Sequence, residues 1–296
     1  MKHIYTLLLW LTVSLVGINA NAQEFETLFP YPQAPDTCTT LESRCNYSTR
    51  HFWDKCDVSK PIGASSDSLL LKAMSDYLSI MGQANVNVGL TSVGSLMFKA
   101  QANKANFMKL LSCAELLLYY MQAPVVDDVY LAFLKAAVDA SWMQKEAKKR
   151  YRGQKAAIEA SKLGATVTDF EVTTAAGTRH ISQLPLDSAE IVLLFFTNDE
   201  TSSSIAATRL SADLGVNNLL KQGYTKVINI YTGKNVKKFL ATASMYPDWT
   251  LVAAPNVYEK IDVRKLPSFY VLDKGLKVMN KNLTIDEIKN AFNTNS

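Results

Sequence analysis

Cysteine and histidine are the scarce residues of this 296-residue chain, with four and three copies. Four thiols are too few to staple a disulfide scaffold of this size, so a packed core must hold the fold. After Cys113 there is no cysteine at all. Charged residues reach only 20% against 48% hydrophobic, which excludes an intrinsically disordered chain. Beyond the N-terminus no apolar run is long enough to cross a bilayer. Phosphate-loop and dinucleotide fingerprints are missing too, since the glycines between Gly82 and Gly94 do not fall in G-x-G-x-x-G order. Past His3 only His51 and His180 remain, too few and too far apart for a zinc or other transition-metal site, and no cofactor is expected.

Residues 1–22 read as a secretory signal peptide. Lys2 supplies the positive end, Leu7 to Val16 is apolar except for Thr12 and Ser14, and Ala20-Asn21-Ala22 is a small-residue cleavage site. No cysteine follows that would take a lipid anchor. The expectation is an exported chain of the periplasm or cell envelope without a membrane span. Without Lys2 the balance is 30 basic to 27 acidic residues, and the basic excess lies in Lys145 to Lys162. There Lys145, Lys148, Lys149, Arg150, Arg152 and Lys155 decorate a helical pattern, which reads as a solvated face. Lacking aromatic interleaving or a known module, it gives no sign of a nucleic-acid partner.

Length favours two domains. Gln23 to Pro61 reads as an irregular, aromatic-rich entry in which Pro30, Pro32 and Pro35 forbid helix. Asp67 is an expected N-cap for a helix through about Gly82, with Leu70, Leu71, Met74, Tyr77, Leu78 and Met81 on one face. Gly82 to Gly94 reads as a looser connection. Further helices are expected at Ser95 to Met121, interrupted near Asn103, at Val126 to Met143 beyond Pro124, and at Gln144 to Leu163. Residues 23–163 are thus expected to form a mainly helical domain. From Gly164 the texture changes. Asp169 to Val172 alternates like a strand and Thr178 to Leu184 returns as a hairpin. Ile191 to Phe196 is apolar throughout, as in a central parallel strand. Strands at Lys226 to Tyr231, Trp249 to Ala253, Ser268 to Leu272 and Lys277 to Met279 alternate with helices at Ser202 to Leu214 and Asn235 to Ser244. An Asp273-Lys274-Gly275 turn joins the last two strands, and Thr284 caps a helix through Phe292. This order predicts an α/β domain with a mixed sheet over 164–296.

That second domain resembles the thioredoxin superfamily, above all exported bacterial thiol–disulfide oxidoreductases with an added hairpin. The likeness is carried by Ile191–Phe196 leading through Thr197-Asn198-Asp199-Glu200 into a helix. It is also carried by Leu266-Pro267-Ser268-Phe269-Tyr270-Val271-Leu272-Asp273, which is similar to the family's cis-proline loop. The first part resembles a helical domain of unknown function that precedes such domains. The residues concerned are Phe29-Pro30-x-Pro32, Pro35-Asp36-Thr37, Leu41-Glu42-x-Arg44, and Tyr47 with His51-Phe52-Trp53-Asp54. This second likeness implies an architecture and no activity.

The resemblance implies a Cys-x-x-Cys at the helix start, where the helix dipole lowers a thiol pKa. The positions matching the two cysteines are Thr201 and Ser204, with Ser202 and Ser203 between, facing Pro267. A hydroxyl forms no mixed disulfide, so the family's exchange reaction is not expected. The hydroxyls suit helix capping. They also suit a groove that holds an extended peptide or an envelope protein by main-chain hydrogen bonds. A serine nucleophile would need His51 or His180 as its base. Asp127-Asp128 and Asp199-Glu200 read as acids at helix starts, with a metal carboxylate pair as the alternative at 127–128. Asn46-Tyr47-Ser48 matches a glycosylation acceptor. Cys38, Cys45, Cys56 and Cys113, separated by six, ten and 56 residues, are expected to form two disulfides of open connectivity. Three functions follow. The favoured one is a redox-inactive binding protein of the envelope. The others are a thiol–disulfide enzyme using the N-terminal cysteines and a structural component of envelope assembly.

Overall fold

The structure, a computed structural model, describes residues 26–121, 127–186 and 189–293. The signal-peptide reading and Pro124 lie outside those residues. Among the described residues no helix is long and apolar enough to cross a membrane.

The helical part comprises α1 (Leu41–His51), α2 (Asp67–Met81), α3 (Val86–Ala100), α4 (Lys104–Ala114), α5 (Asp127–Asp139) and α6 (Lys145–Ala160). Between α4 and α5 the chain widens into a π-helix over Glu115–Tyr120. The prolines keep residues 26–39 out of helix, but the irregular entry ends sooner than its aromatics suggest. Thr40 and Ser43 form a reciprocal capping box that starts α1 inside it. Phe52 then packs at 5.6 Å from Phe29 and 5.1 Å from Tyr77, so the aromatic run joins the core.

The expected loose connection at Gly82 to Gly94 is mostly helix α3. Asn85 caps it by accepting from the Asn87 amide. Gly89 serves packing there: a Cβ would stand 2.8 Å from Met81 Cγ on α2. Asp67 is the first residue of α2 after the N-cap Ser66, and its carboxylate pairs with Lys109 at 2.6 Å. The break near Asn103 is present, and Asn103 caps α4 through the amides of Ala105 and Asn106.

The second part is a seven-stranded sheet in the order β2-β1-β5-β4-β3-β6-β7. The strands are β1 (Glu171–Thr174), β2 (Gly177–His180), β3 (Ile191–Thr197), β4 (Thr225–Tyr231), β5 (Trp249–Ala253), β6 (Ser268–Asp273) and β7 (Val278–Leu283). β3, β4 and β5 are parallel, and the outer strands are antiparallel. Helices α7 (Thr201–Ser211), α8 (Leu214–Lys221), α9 (Val236–Leu240) and α10 (Ile285–Asn293) complete it. The expected helix from Ser202 to Leu214 stops at Ser211, because Asp213 caps a new helix, α8, through the Val216 amide.

Side-chain alternation splits the central strand between two cores. Leu193 and Phe195 face α7, α8 and α10 with Val227, Leu251 and Phe269. Val192, Leu194 and Phe196 face the other way with Ile228, Ile230, Tyr270 and Leu272. The linker adds to the outer side of β7. The Gly164 amide donates to Val278 O at 2.8 Å, Val278 N to Ala165 O at 2.9 Å, and Val167 N to Leu276 O at 2.9 Å.

A cluster of charges joins the two parts. Asp262, fully buried, accepts from Arg264 Nε at 2.9 Å and Nη2 at 2.7 Å, and from Lys281 Nζ at 2.9 Å. Asp127, at the start of α5, accepts from Arg264 Nη2 at 2.6 Å and Lys281 Nζ at 2.7 Å. Arg264 Nη1 also donates to Leu118 O of the π-helix at 3.1 Å, and its guanidinium lies over the Tyr119 ring.

Phe195 stacks on Phe269 at 4.4 Å, and both are fully buried. F195A is expected to cost about 3–5 kcal/mol, measured by urea unfolding. Burial raises the Asp127 pKa, but Arg264 and Lys281 outweigh it and hold the carboxyl below its ordinary value. A lowered folded-state pKa gives stability that is complete above the unfolded value of about 3.9 and is lost as pH falls through the folded one. Calorimetry through that acid range is expected to show a falling midpoint, with a shallower fall in D127N.

Candidate functional site

The site lies at the carboxyl end of β3. The β3–β6 register pairs Phe196 with Ser268, which brings Pro267 beside Thr197. The Leu266–Pro267 bond is cis, as the resemblance implies. Asn198 then turns the chain: its side chain accepts from the Glu200 amide at 3.1 Å and from Ser203 Oγ at 2.8 Å. Ser203 Oγ in turn accepts from the Asn198 amide at 3.1 Å. The N-cap of α7 is Glu200, and no side chain caps that helix. Ser203 is therefore the buried hydroxyl of the run, at 2% exposure, whereas Thr201, Ser202 and Ser204 are exposed. The hydroxyl run does not cap the helix it opens. Ser203 fastens the preceding turn, and Thr201 and Ser202 face solvent.

Asp199 is fixed from the neighbouring strand end. It accepts from Tyr231 Oη at 2.6 Å and Asn235 Nδ2 at 3.3 Å. The Tyr231 bond leads the effects that hold its carboxyl below the ordinary range. Gly233 lets the chain pass close there: a Cβ would lie 2.4 Å from Tyr231 Oη and 2.7 Å from Asp199 Oδ2, so a larger residue would displace that pair. Thr232 and Tyr258 share a hydroxyl bond of 2.8 Å on the same rim. Sequence reading missed this rim. Its signal is Asp199 recurring with Tyr231, Gly233 and Asn235 at the ends of two adjacent parallel strands.

Neither histidine meets the hydroxyls of α7. His51 Nδ1 pairs with Asp54 at 2.7 Å, and His180 Nδ1 with Asp169 at 3.1 Å. Ser182 Oγ donates to that same Asp169, so this serine bonds the acid and not the imidazole. Asp127 and Asp128 part company: Asp127 enters the charge cluster and Asp128 pairs with Lys162 at 2.7 Å. Among the described residues no group of three or more His, Cys, Asp or Glu is placed to hold a metal. Asn46 sits within α1 and accepts from the Asn85 amide, so the glycosylation match is built into a helix contact.

The two expected disulfides have no counterpart in the structure: Cys38, Cys45, Cys56 and Cys113 are all free and half-buried. Burial raises the Cys45 thiol. Burial first, then Asp57, pushes Cys56 up to about 11. Burial first, then Asp67, against the opposing pull of Lys109, pushes Cys113 up to about 11.

Residues 14–161 fit a known family and the sheet fits a known fold. The family model described as Domain of unknown function (DUF5106) matches residues 14–161, and the chain belongs to that family. A thioredoxin-like protein from Bacteroides caccae superposes with a TM-score of 0.76 at 19% identity, over 92% of this chain and 100% of that one. The chain is thus a helical domain of that family followed by a thioredoxin-like fold. The C-terminal domain of an uncharacterized Bacteroides fragilis protein matches at 23% identity over 45% of this chain and 98% of its own, with a TM-score of 0.40. A candidate thiol-disulfide oxidoreductase from Bacteroides vulgatus matches at 14% identity over 45% and 98%, with a TM-score of 0.36. No curated protein matches the sequence.

At a pKa of about 11, roughly one thiol in ten thousand is ionised at pH 7. Alkylation of Cys56 and Cys113 in the folded protein is expected to rise about tenfold per pH unit from neutrality toward 11. Peptide mass mapping of iodoacetamide-treated samples checks this, and a plateau near pH 8 would contradict it.

Proposed function

We propose that this is an exported, redox-inactive thioredoxin-fold protein that works by binding an extended peptide or an envelope protein. Its seat would be the crevice between the start of α7 and the Pro267 loop, in the thioredoxin-like part from 164 onward. The observation that carries the reading is the pair of exposed hydroxyls, Thr201 and Ser204, at the two positions where the family's chemistry needs thiols. The start of α7 follows the carboxyl end of β3, where open α/β sheets take their ligands. An extended segment there would bond through its main chain. Against thiol chemistry by the N-terminal cysteines stand the half-buried positions of Cys56 and Cys113 and their raised pKa values.

Two assays test the proposal together. Insulin reduction by the purified protein is expected to equal the protein-free blank. Turnover comparable to a Cys-x-x-Cys thioredoxin would sink the redox-inactive half. A random-peptide array is expected to yield binders that S202R weakens by about tenfold or more. Binders indifferent to S202R would move the site elsewhere, and an array without binders would remove the peptide half.

A further inference from the structure

The charge cluster between the two parts ends three residues before Pro267. Arg264 is the shared member. From its own segment it takes both oxygens of Asp262, and from the helical part it takes Asp127 Oδ1, Leu118 O and the face of Tyr119. Its side chain is 8% exposed, so these bonds are shielded from water. At the other end of the short loop, Ser268 is fixed by pairing with Phe196 in the sheet. Lys265, Leu266 and Pro267 alone span the interval.

Four residue steps reach at most about 14 Å. A connection that short ties the position of Arg264 closely to that of Pro267. Holding Arg264 to the helical domain anchors the segment that leads into Leu266 and Pro267. Asp262 is shared between Arg264 and Lys281. Asp127 supplies the second carboxylate, and it belongs to a helix of the other domain.

We infer that the helical domain sets the shape of the crevice, with Asp127 as a positioning residue that acts on the Pro267 loop through Arg264. The inference gives the helical domain a task in the proposed binding function and rests on that reading. It also explains why an acid stands at the first position of α5 when that helix has a second acid, Asp128, beside it. The loop's conformation and the docking of the helical domain are then two ends of one equilibrium, so whatever binds at one end is felt at the other.

Hydrogen–deuterium exchange on the full chain tests this without any ligand. In D127N the amides of Lys265 and Leu266 are expected to exchange about tenfold faster than in wild type, while the β3 and β4 amides keep their rates. A uniform acceleration across the sheet would mean plain destabilisation and would overturn the inference. So would rates at 265 and 266 within about twofold of wild type. Should D127N fail to fold, Y119L removes the ring beneath the guanidinium and is read the same way. Loss of the binding reading would appear separately, as wild-type protein that binds no arrayed peptide while its exchange pattern still follows Asp127.

Discussion

Asp262 is a carboxylate with no exposed surface, and much of the molecule is arranged around its need for cations. Taking a charge out of water costs several kcal/mol, which is recovered only when partners and hydrogen bonds are complete. Arg264 and Lys281 meet that need but overshoot it, because two cations now face one anion. Asp127, at the start of α5 in the helical domain, restores the balance. Such a cluster adds little net stability compared with apolar packing of the same volume. Removing any one partner would leave a buried ion without its counterion. The backbone joins in, since Tyr270 Oη donates to Asp262 O and Ser161 Oγ accepts from the Asp262 amide. The end of α6, the loop before Pro267 and the edge pair of strands therefore meet around one residue.

What the sequence made legible follows from how local each signal is. The apolar run Ile191–Phe196 identified a strand buried on both faces, and both faces are buried. The three-and-four spacing from Leu70 to Met81 identified α2. Asp273-Lys274-Gly275 identified a turn whose Asp273 side chain accepts from the amides of Gly275 and Lys277. Each of these depends on residues a few positions apart. The misreadings depend on partners elsewhere. Gly89 looked like loop punctuation because its reason, the Met81 side chain, lies on another helix. Asp213 looked like the tail of one helix and is the cap of the next. Asp127 looked complete as an acid at a helix start, and nothing nearby in the sequence announces Arg264 or Lys281.

At the candidate site, the missing thiols were visible from sequence and the geometry was not. The position of the helix start decides which hydroxyl is structural, and it falls on Glu200, so Ser203 goes inward to Asn198. The acidic rim at Asp199 needs the ends of β3 and β4 brought side by side, which is a property of the sheet. The four cysteines of the helical part behave as small half-buried side chains, consistent with a core that holds without staples.

The linker that leaves α6 spends its first residues as a partner of β7. A sheet edge is an invitation to any passing strand, and proteins usually blunt it with charge, a bulge or brevity. Here the blocking strand is covalently tethered, so a strand from another chain competes against a segment present at an effective concentration on the order of millimolar. The opposite edge, β2, is four residues long, fully exposed, and carries Arg179 and His180. The joint between the domains thus covers the start of one sheet edge, at Leu276 to Val278, and polarity and shortness guard the other.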